Sequence, residues 1–155
     1  MKSKFILLIE DDRNDVELTL RALKEAFKGR VAVVNDGAEG IDFLFRKGKF
    51  EDRKPENPVV VILDKKMPKM DGVELLRAVK KDNILKEIPI VMFSSSNYEQ
   101  DIIESYAAGA SAYVVKPINI EDYYKAVRQI GFFWGVLNEE NPALISNGEN
   151  NGNWT

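Results

Sequence analysis

Val59-Val60-Val61-Ile62-Leu63-Asp64 is the stretch that decides the fold. Five consecutive large apolar residues, four of them β-branched, suit a strand buried on both faces of a parallel sheet. The run then stops on a carboxylate. Lys65-Lys66-Met67-Pro68-Lys69-Met70-Asp71-Gly72 follows, and its Pro, Asp-Gly and charge make it a loop. Asp64 therefore stands at the carboxyl end of a central strand. In an open α/β sheet that rim is where strand ends and helix N-termini converge and ligands collect. Taken alone, Asp64 is equally well read as a strand-ending acid that satisfies loop backbone donors.

Working outward, Phe5-Ile6-Leu7-Leu8-Ile9 is a second apolar run of strand length, and it also ends on acids, Glu10-Asp11-Asp12. Asn14 followed three residues later by Glu17 reads as a capping box. Val16, Leu20, Leu23 and Phe27 then recur at helical spacing up to Gly29. Val31-Ala32-Val33-Val34 is a short second strand, and Ala38, Ile41 and Phe45 mark the inner face of a second helix. Residues 47–58, charged and carrying two prolines, form a long surface loop that leads to the central strand.

Beyond Asp64 the alternation continues. Val73, Leu76 and Val79 give a third helix, Ile90-Val91-Met92-Phe93 a fourth strand running into Ser94, and Ile102, Ile103 and Tyr106 a fourth helix. Ala112-Tyr113-Val114-Val115 is a fifth strand ending on Lys116-Pro117, and Tyr123, Val127, Ile130 and Trp134 line a fifth helix. Five strands alternating with five helices, at lengths that suit right-handed crossovers, predict a doubly wound (βα)5 parallel sheet of the flavodoxin-like kind. Residues 1–138 read as one domain, and the Gly-, Asn- and Glu-rich residues 139–155 as a disordered tail.

Composition narrows the chemistry. The 155 residues are 45% hydrophobic and 30% charged, as in ordinary globular domains. No apolar run approaches membrane-spanning length and the N-terminal apolar run is too short for a signal peptide, so a cytoplasmic location is expected. A net charge of −3 argues against direct nucleic-acid binding. Cysteine and histidine are both absent, which removes disulfides, thiol catalysis, Cys/His zinc sites and a Ser-His-Asp triad.

The strand ends collect Glu10, Asp11, Asp64, Ser94 and Lys116 on one rim. Two carboxylates about 4 Å apart repel by roughly 4 kcal/mol at an effective dielectric near 20. Such a cluster calls for a hard cation, and a few carboxylates with room for water and phosphate describe Mg²⁺ better than an enclosing Ca²⁺ cage. Asp64 can accept a phosphoryl group as an acyl phosphate, with Mg²⁺, Lys116 and the Ser94 hydroxyl neutralising its oxygens.

Leu7-Leu8-Ile9-Glu10-Asp11, Leu63-Asp64 with Met67-Pro68 and Met70-Asp71-Gly72, Ile90-Val91-Met92-Phe93-Ser94 and Tyr113-Val114-Val115-Lys116-Pro117 together resemble a response-regulator receiver domain, over about residues 4–135. The fold plan is similar to that of the chemotaxis response regulator. The long loop after the second helix and the aromatic end of the fifth resemble the single-domain regulators that accompany bacterial phytochrome-type kinases. The resemblance implies Asp64 as phosphoacceptor, and Mg²⁺ held by Glu10, Asp11, Asp64 and the Lys66 backbone carbonyl. Ser94 and Lys116 would contact the phosphoryl group, and Ser94 with Tyr113 would form the conformational switch. Lys66 and Ser96 would tune dephosphorylation. A cis Lys116–Pro117 bond is also implied.

The resemblance further implies a sensor histidine kinase or phosphotransfer protein as partner, since a chain without histidine cannot supply the donor itself. No output domain is apparent, so the signal is expected to leave by protein contact. Phe132-Phe133-Trp134, with Val136 and Leu137, is more apolar surface than one helix end usually buries. A homodimer through the fourth helix, fifth strand and fifth helix is therefore expected. Three rivals compete. A pseudo-receiver adaptor would not require the full set of acids, hydroxyl and lysine. A haloacid-dehalogenase-type phosphohydrolase would need an acid where Lys66 stands. A flavodoxin-like flavin carrier would need a Ser-, Thr- and Gly-rich first loop where Glu10-Asp11-Asp12 would repel phosphate.

Overall fold

The computed structural model describes residues 4–142. Five strands, β1 (Phe5–Ile9), β2 (Arg30–Val34), β3 (Val60–Leu63), β4 (Ile90–Ser94) and β5 (Ala112–Val115), form one parallel sheet in the order β2-β1-β3-β4-β5. Helices α1 (Arg13–Ala26), α2 (Gly37–Phe45), α3 (Gly72–Lys80), α4 (Glu99–Ala107) and α5 (Ile120–Phe132) alternate with them. This is the flavodoxin-like doubly wound order, with β1 and β3 adjacent at the topological switch point.

The continuous apolar runs are explained by what lies on each face. Successive side chains of a strand point to opposite sides. Phe5, Leu7, Ile9, Val61, Leu63, Ile90 and Met92 pack with Phe43, Leu44, Leu75, Leu76 and Val79 of α2 and α3. Ile6, Leu8, Val60, Ile62, Val91 and Phe93 pack with Ala22, Leu23, Phe27, Tyr123, Val127 and Ile130 of α1 and α5. Truncating one of these, Leu63→Ala for example, removes about 2–5 kcal/mol of stability.

The sequence reading is corrected in three places. The N-cap of α1 is Asp12, whose side chain accepts the Asp15 N–H, and Asn14 lies inside the helix. Helix α2 buries Gly40, Phe43 and Leu44 and leaves Ala38 exposed. Ile41 and Phe45 are half-buried against the same core as expected, but the closest approach to β1 is made at Gly40, where a Cβ would come within 2.8 Å of the Ile9 side chain. Helix α4 stands where it was expected, with only Ser105 buried and Ile103 and Tyr106 about half exposed. The Lys116–Pro117 bond is trans, since no peptide bond among the described residues is cis. Trans is the form an X-Pro bond favours by about 0.5–1 kcal/mol.

The long loop after α2 contains a short 3-10 turn, Gly48–Phe50, and is stapled by Arg53. Its Nε donates to Phe43 O at 3.0 Å and its Nη1 to Glu56 O at 2.7 Å, with the guanidinium 4.1 Å from the Phe43 ring centroid. After α5 the chain makes one π-helical turn, Phe133–Leu137. Trp134 packs on the α1/α5 core, whereas Phe132, Phe133, Val136 and Leu137 are about half exposed. The expected disordered tail lies outside the described residues from residue 143 onward.

Candidate functional site

The sheet's hydrogen-bond ladder carries the site residues into place. Glu10 N–H donates to Val34 O at 3.1 Å, Asp64 N–H to Ile9 O at 3.2 Å and Lys116 N–H to Ser94 O at 2.8 Å. Each residue thus continues the ladder one step past its strand, and its backbone is fixed before its side chain enters the crevice. Gly72 closes the loop behind Asp64: its N–H donates to Lys65 O at 2.7 Å, and a Cβ there would stand 2.5 Å from Asp64 O.

Lys116 is the centre of the site. Its Nζ lies 2.6 Å from Glu10 Oε1, 2.8 Å from Asp15 Oδ2 and 3.3 Å from Asp64 Oδ2, with the side chain 8% exposed. Burial alone would lower its pKa, but the hydrogen bonds and charges of Asp15, Glu10 and Asp64 outweigh that and hold it above the ordinary lysine value. The carboxylates are less well served. Burial, and then the Asp64 charge, push Glu10 up to about 7 despite Lys116, and burial raises Asp64 as well.

Oxygens of Glu10, Asp11 and Asp64 lie within 4.8 Å of one another. Three carboxylates, Glu10, Asp15 and Asp64, therefore share one ammonium, and Asp11 stands beside them without it. An all-oxygen, under-neutralised cluster of this kind fits a hard divalent cation such as Mg²⁺.

Around this centre lie the remaining predicted residues. Lys66 donates its N–H to Asp64 Oδ1 at 3.4 Å and leaves its side chain exposed. Ser94 is buried at the end of β4, and its Oγ accepts the Ser96 N–H at 3.3 Å. Among the described residues no hydrogen bond joins it to Asp64. Tyr113 is turned toward the core edge, and its hydroxyl donates to Ser96 O at 2.8 Å. The Ser96 hydroxyl donates to Asp101.

Two partners escaped the sequence reading. Asp15 belongs to the site because the helix starts at Arg13 under the Asp12 cap, which sets Asp15 in the first turn beside Lys116. An Asp one turn after a capping Asp was the available signal. Lys65 is buried, with Nζ 3.4 Å from Asp101 Oδ1 and 3.6 Å from Asp71 Oδ2. Nothing in local spacing marks that contact.

A parallel sheet in this order, with an acid triad and a lysine at its carboxyl rim, defines a response regulator receiver domain. The chain belongs to that family, which its residues 6–128 match. It is 35% identical over 132 residues to response regulator Rcp1 of Synechocystis sp., covering 84% of this chain and 88% of that protein. The Mn²⁺-bound form of Rcp1 superposes with a TM-score of 0.83 over 89% of this chain and 99% of that one. Bacteriophytochrome response regulator RtBRR is 44% identical, with a TM-score of 0.72 over 96% of this chain and 90% of its own. The phosphorylated cyanobacterial phytochrome response regulator RcpA is 33% identical, with a TM-score of 0.84 over 90% and 99%. The chain is thus a two-component response regulator similar to those of phytochromes, and such a domain implies a histidine kinase partner.

Proposed function

We propose that Asp64 accepts a phosphoryl group from the phosphohistidine of a phytochrome-type sensor histidine kinase or phosphotransfer protein, in a Mg²⁺-dependent reaction, and that the signal passes on by protein contact. The observation that carries this reading is the Lys116 ammonium 3.3 Å from Asp64 Oδ2, inside the Glu10, Asp11 and Asp64 cluster. An Asp64 carboxylate oxygen attacks phosphorus. The new P–O bond forms as the P–N bond breaks, and the electron pair stays on the imidazole nitrogen of the donor.

Lys116 and the Ser94 hydroxyl meet the charge spread over the transferring oxygens. Glu10, Asp11, Asp64 and the Lys66 backbone carbonyl would hold Mg²⁺, which supplies the remaining neutralisation at those oxygens. The exposed Lys66 ammonium and Ser96 set the lifetime of the acyl phosphate. Similarity to the phytochrome regulators supports the kinase class.

Self-association through α4, β5 and α5 belongs to the same reading, supported by the exposed Ile103, Tyr106, Val115, Ile120 and Phe132 along those elements. Sedimentation with and without phosphodonor tests it, and a monomer in both conditions would exclude it. The phosphoacceptor reading is tested by intact mass after incubation with acetyl phosphate and Mg²⁺. Gain of one phosphoryl group by the wild type and none by Asp64→Asn is the expected result. No gain by either protein, at donor levels that load other receivers, would overturn it.

A further inference from the structure

The loop after β4 is held from three directions at Ser96. Its N–H donates to the Ser94 Oγ at 3.3 Å, its carbonyl accepts the Tyr113 hydroxyl at 2.8 Å, and its own hydroxyl donates to Asp101 in the first turn of α4. Asp101 in turn faces Lys65 at 3.4 Å, and Lys65 is the residue that follows Asp64. Lys65 is 7% exposed, an uncommon place for a lysine, and its second partner is Asp71, the N-cap of α3.

The three lysines of the β3-to-α3 loop thus have different fates. Lys69 pairs with Asp36 at 3.4 Å, Lys66 stays in solvent, and Lys65 alone reaches inward to α4. A chain of contacts therefore runs from the residue beside the proposed phosphoacceptor, through Asp101 and Ser96, to the two residues expected to switch.

We propose that Lys65 and Asp101 are positioning residues whose ion pair, acting through the Ser96 hydroxyl, holds the loop after β4 and so fixes the places of the Ser94 hydroxyl and the Tyr113 ring. The inference deepens the phosphoacceptor reading and, for its effect on phosphoryl lifetime, rests on it. Any movement of Ser94 toward Asp64 draws on the Ser96 N–H that it accepts, and Ser96 cannot follow without pulling on Asp101. Removing the ion pair releases Ser96, lets Tyr113 leave its carbonyl and opens the crevice above Asp64 to water. Because the pair is partly enclosed and shared with Asp71, charge at residue 65 matters more than chain length.

The test uses the whole chain with 3-fluorotyrosine in place of its five tyrosines, the Tyr113 resonance being assigned by Tyr113→Phe. Lys65→Met and Asp101→Asn each shift or broaden that resonance in the unphosphorylated protein. Each also shortens the lifetime of the acyl phosphate by about fivefold, a size that coupling between contacting residues commonly reaches. Asp101→Asn keeps an acceptor for Ser96 and removes only the charge, so it carries the test if Lys65→Met does not fold. Lys65→Arg restores both readouts, which a merely space-filling role would not do.

Unchanged fluorine spectra and lifetimes in both disrupting variants overturn the proposal, as does a Lys65→Arg protein as disturbed as Lys65→Met. If the wild type takes up no phosphoryl group, it is the phosphoacceptor reading that fails. The fluorine spectra then decide alone whether the latch exists.

Discussion

Lys116 and Arg53 are both cations drawn out of water, at two corners of the molecule, and their company is opposite. Arg53 donates to the Phe43, Lys54 and Glu56 carbonyls and stacks on Phe43, with Arg46, Arg30 and, more weakly, the Glu56 carboxylate as its charged neighbours. Burial, then those two guanidiniums, bring its pKa down to about 10. It remains charged at neutral pH, and the carbonyls it serves carry no net charge. The arrangement is complete. Lys116 stands among Glu10, Asp15 and Asp64, which together carry more charge than one ammonium offsets. That corner is short of positive charge, and the shortfall is what fits it for a divalent cation.

The largest effect expected from this contrast is at Asp64. Asp64→Asn abolishes phosphoryl uptake, yet in metal-free buffer at pH 8 it melts above the wild type, because a buried like charge has been removed from the cluster. Differential scanning calorimetry checks this, and a lower midpoint would break the contrast. Arg53→Ala does the reverse. Loss of its hydrogen bonds to three carbonyls removes about 3 kcal/mol in urea unfolding, while phosphoryl uptake by the folded protein is retained.

A cation should act on one corner only. Mg²⁺ at a hundred times its Kd adds about 2.7 kcal/mol to the wild type. Much of that gain is absent in Asp11→Asn and retained by Arg53→Ala, as thermal shift measured against Mg²⁺ concentration will show.

The smallest effect belongs to Asp36, the N-cap of α2. Asp36 accepts the Glu39 N–H at 2.8 Å, and that bond, followed by Lys69, holds its carboxyl below the usual 3.8. A depressed carboxyl contributes stability above its unfolded value and loses it as pH falls through the folded value. Asp36→Ala therefore lowers stability by about 1 kcal/mol at pH 6. The difference from wild type shrinks as pH drops below 3.8.

The strand ends were legible because each buried run stops abruptly on a polar residue, so Glu10, Asp64, Ser94 and Lys116 announce a shared rim. Asp15 was not, because Asn14 with Glu17 and Asp12 with Asp15 offer the same three-residue spacing. The fold selects Asp12, whose N–H is taken by Glu10 Oε2 at 3.1 Å. On α2, Ile41 and Phe45 were read rightly as core-facing and Ala38 was not, for a different reason. Periodicity counts large apolar residues, and here a glycine, Gly40, makes the closest approach to β1. Lys65 and Asp101 meet only after α3 and β4 have folded between them, so no local pattern could pair them.

Helix α4 carries a consequence of its own. Its Ile103 and Tyr106 are half exposed and only Ser105 is fully buried, so little of its stability is borrowed from the core. Free energies of local opening differ across a native fold, and segments with few buried apolar contacts lie at the low end. The amide protons of α4 therefore exchange with solvent well before those of β1, β3 and β4. A protein that grips Ile103 and Tyr106 remodels the helix bearing Asp101 for a small fraction of the free energy of global unfolding. Sparse burial on one helix thus sets how cheaply that part of the fold opens.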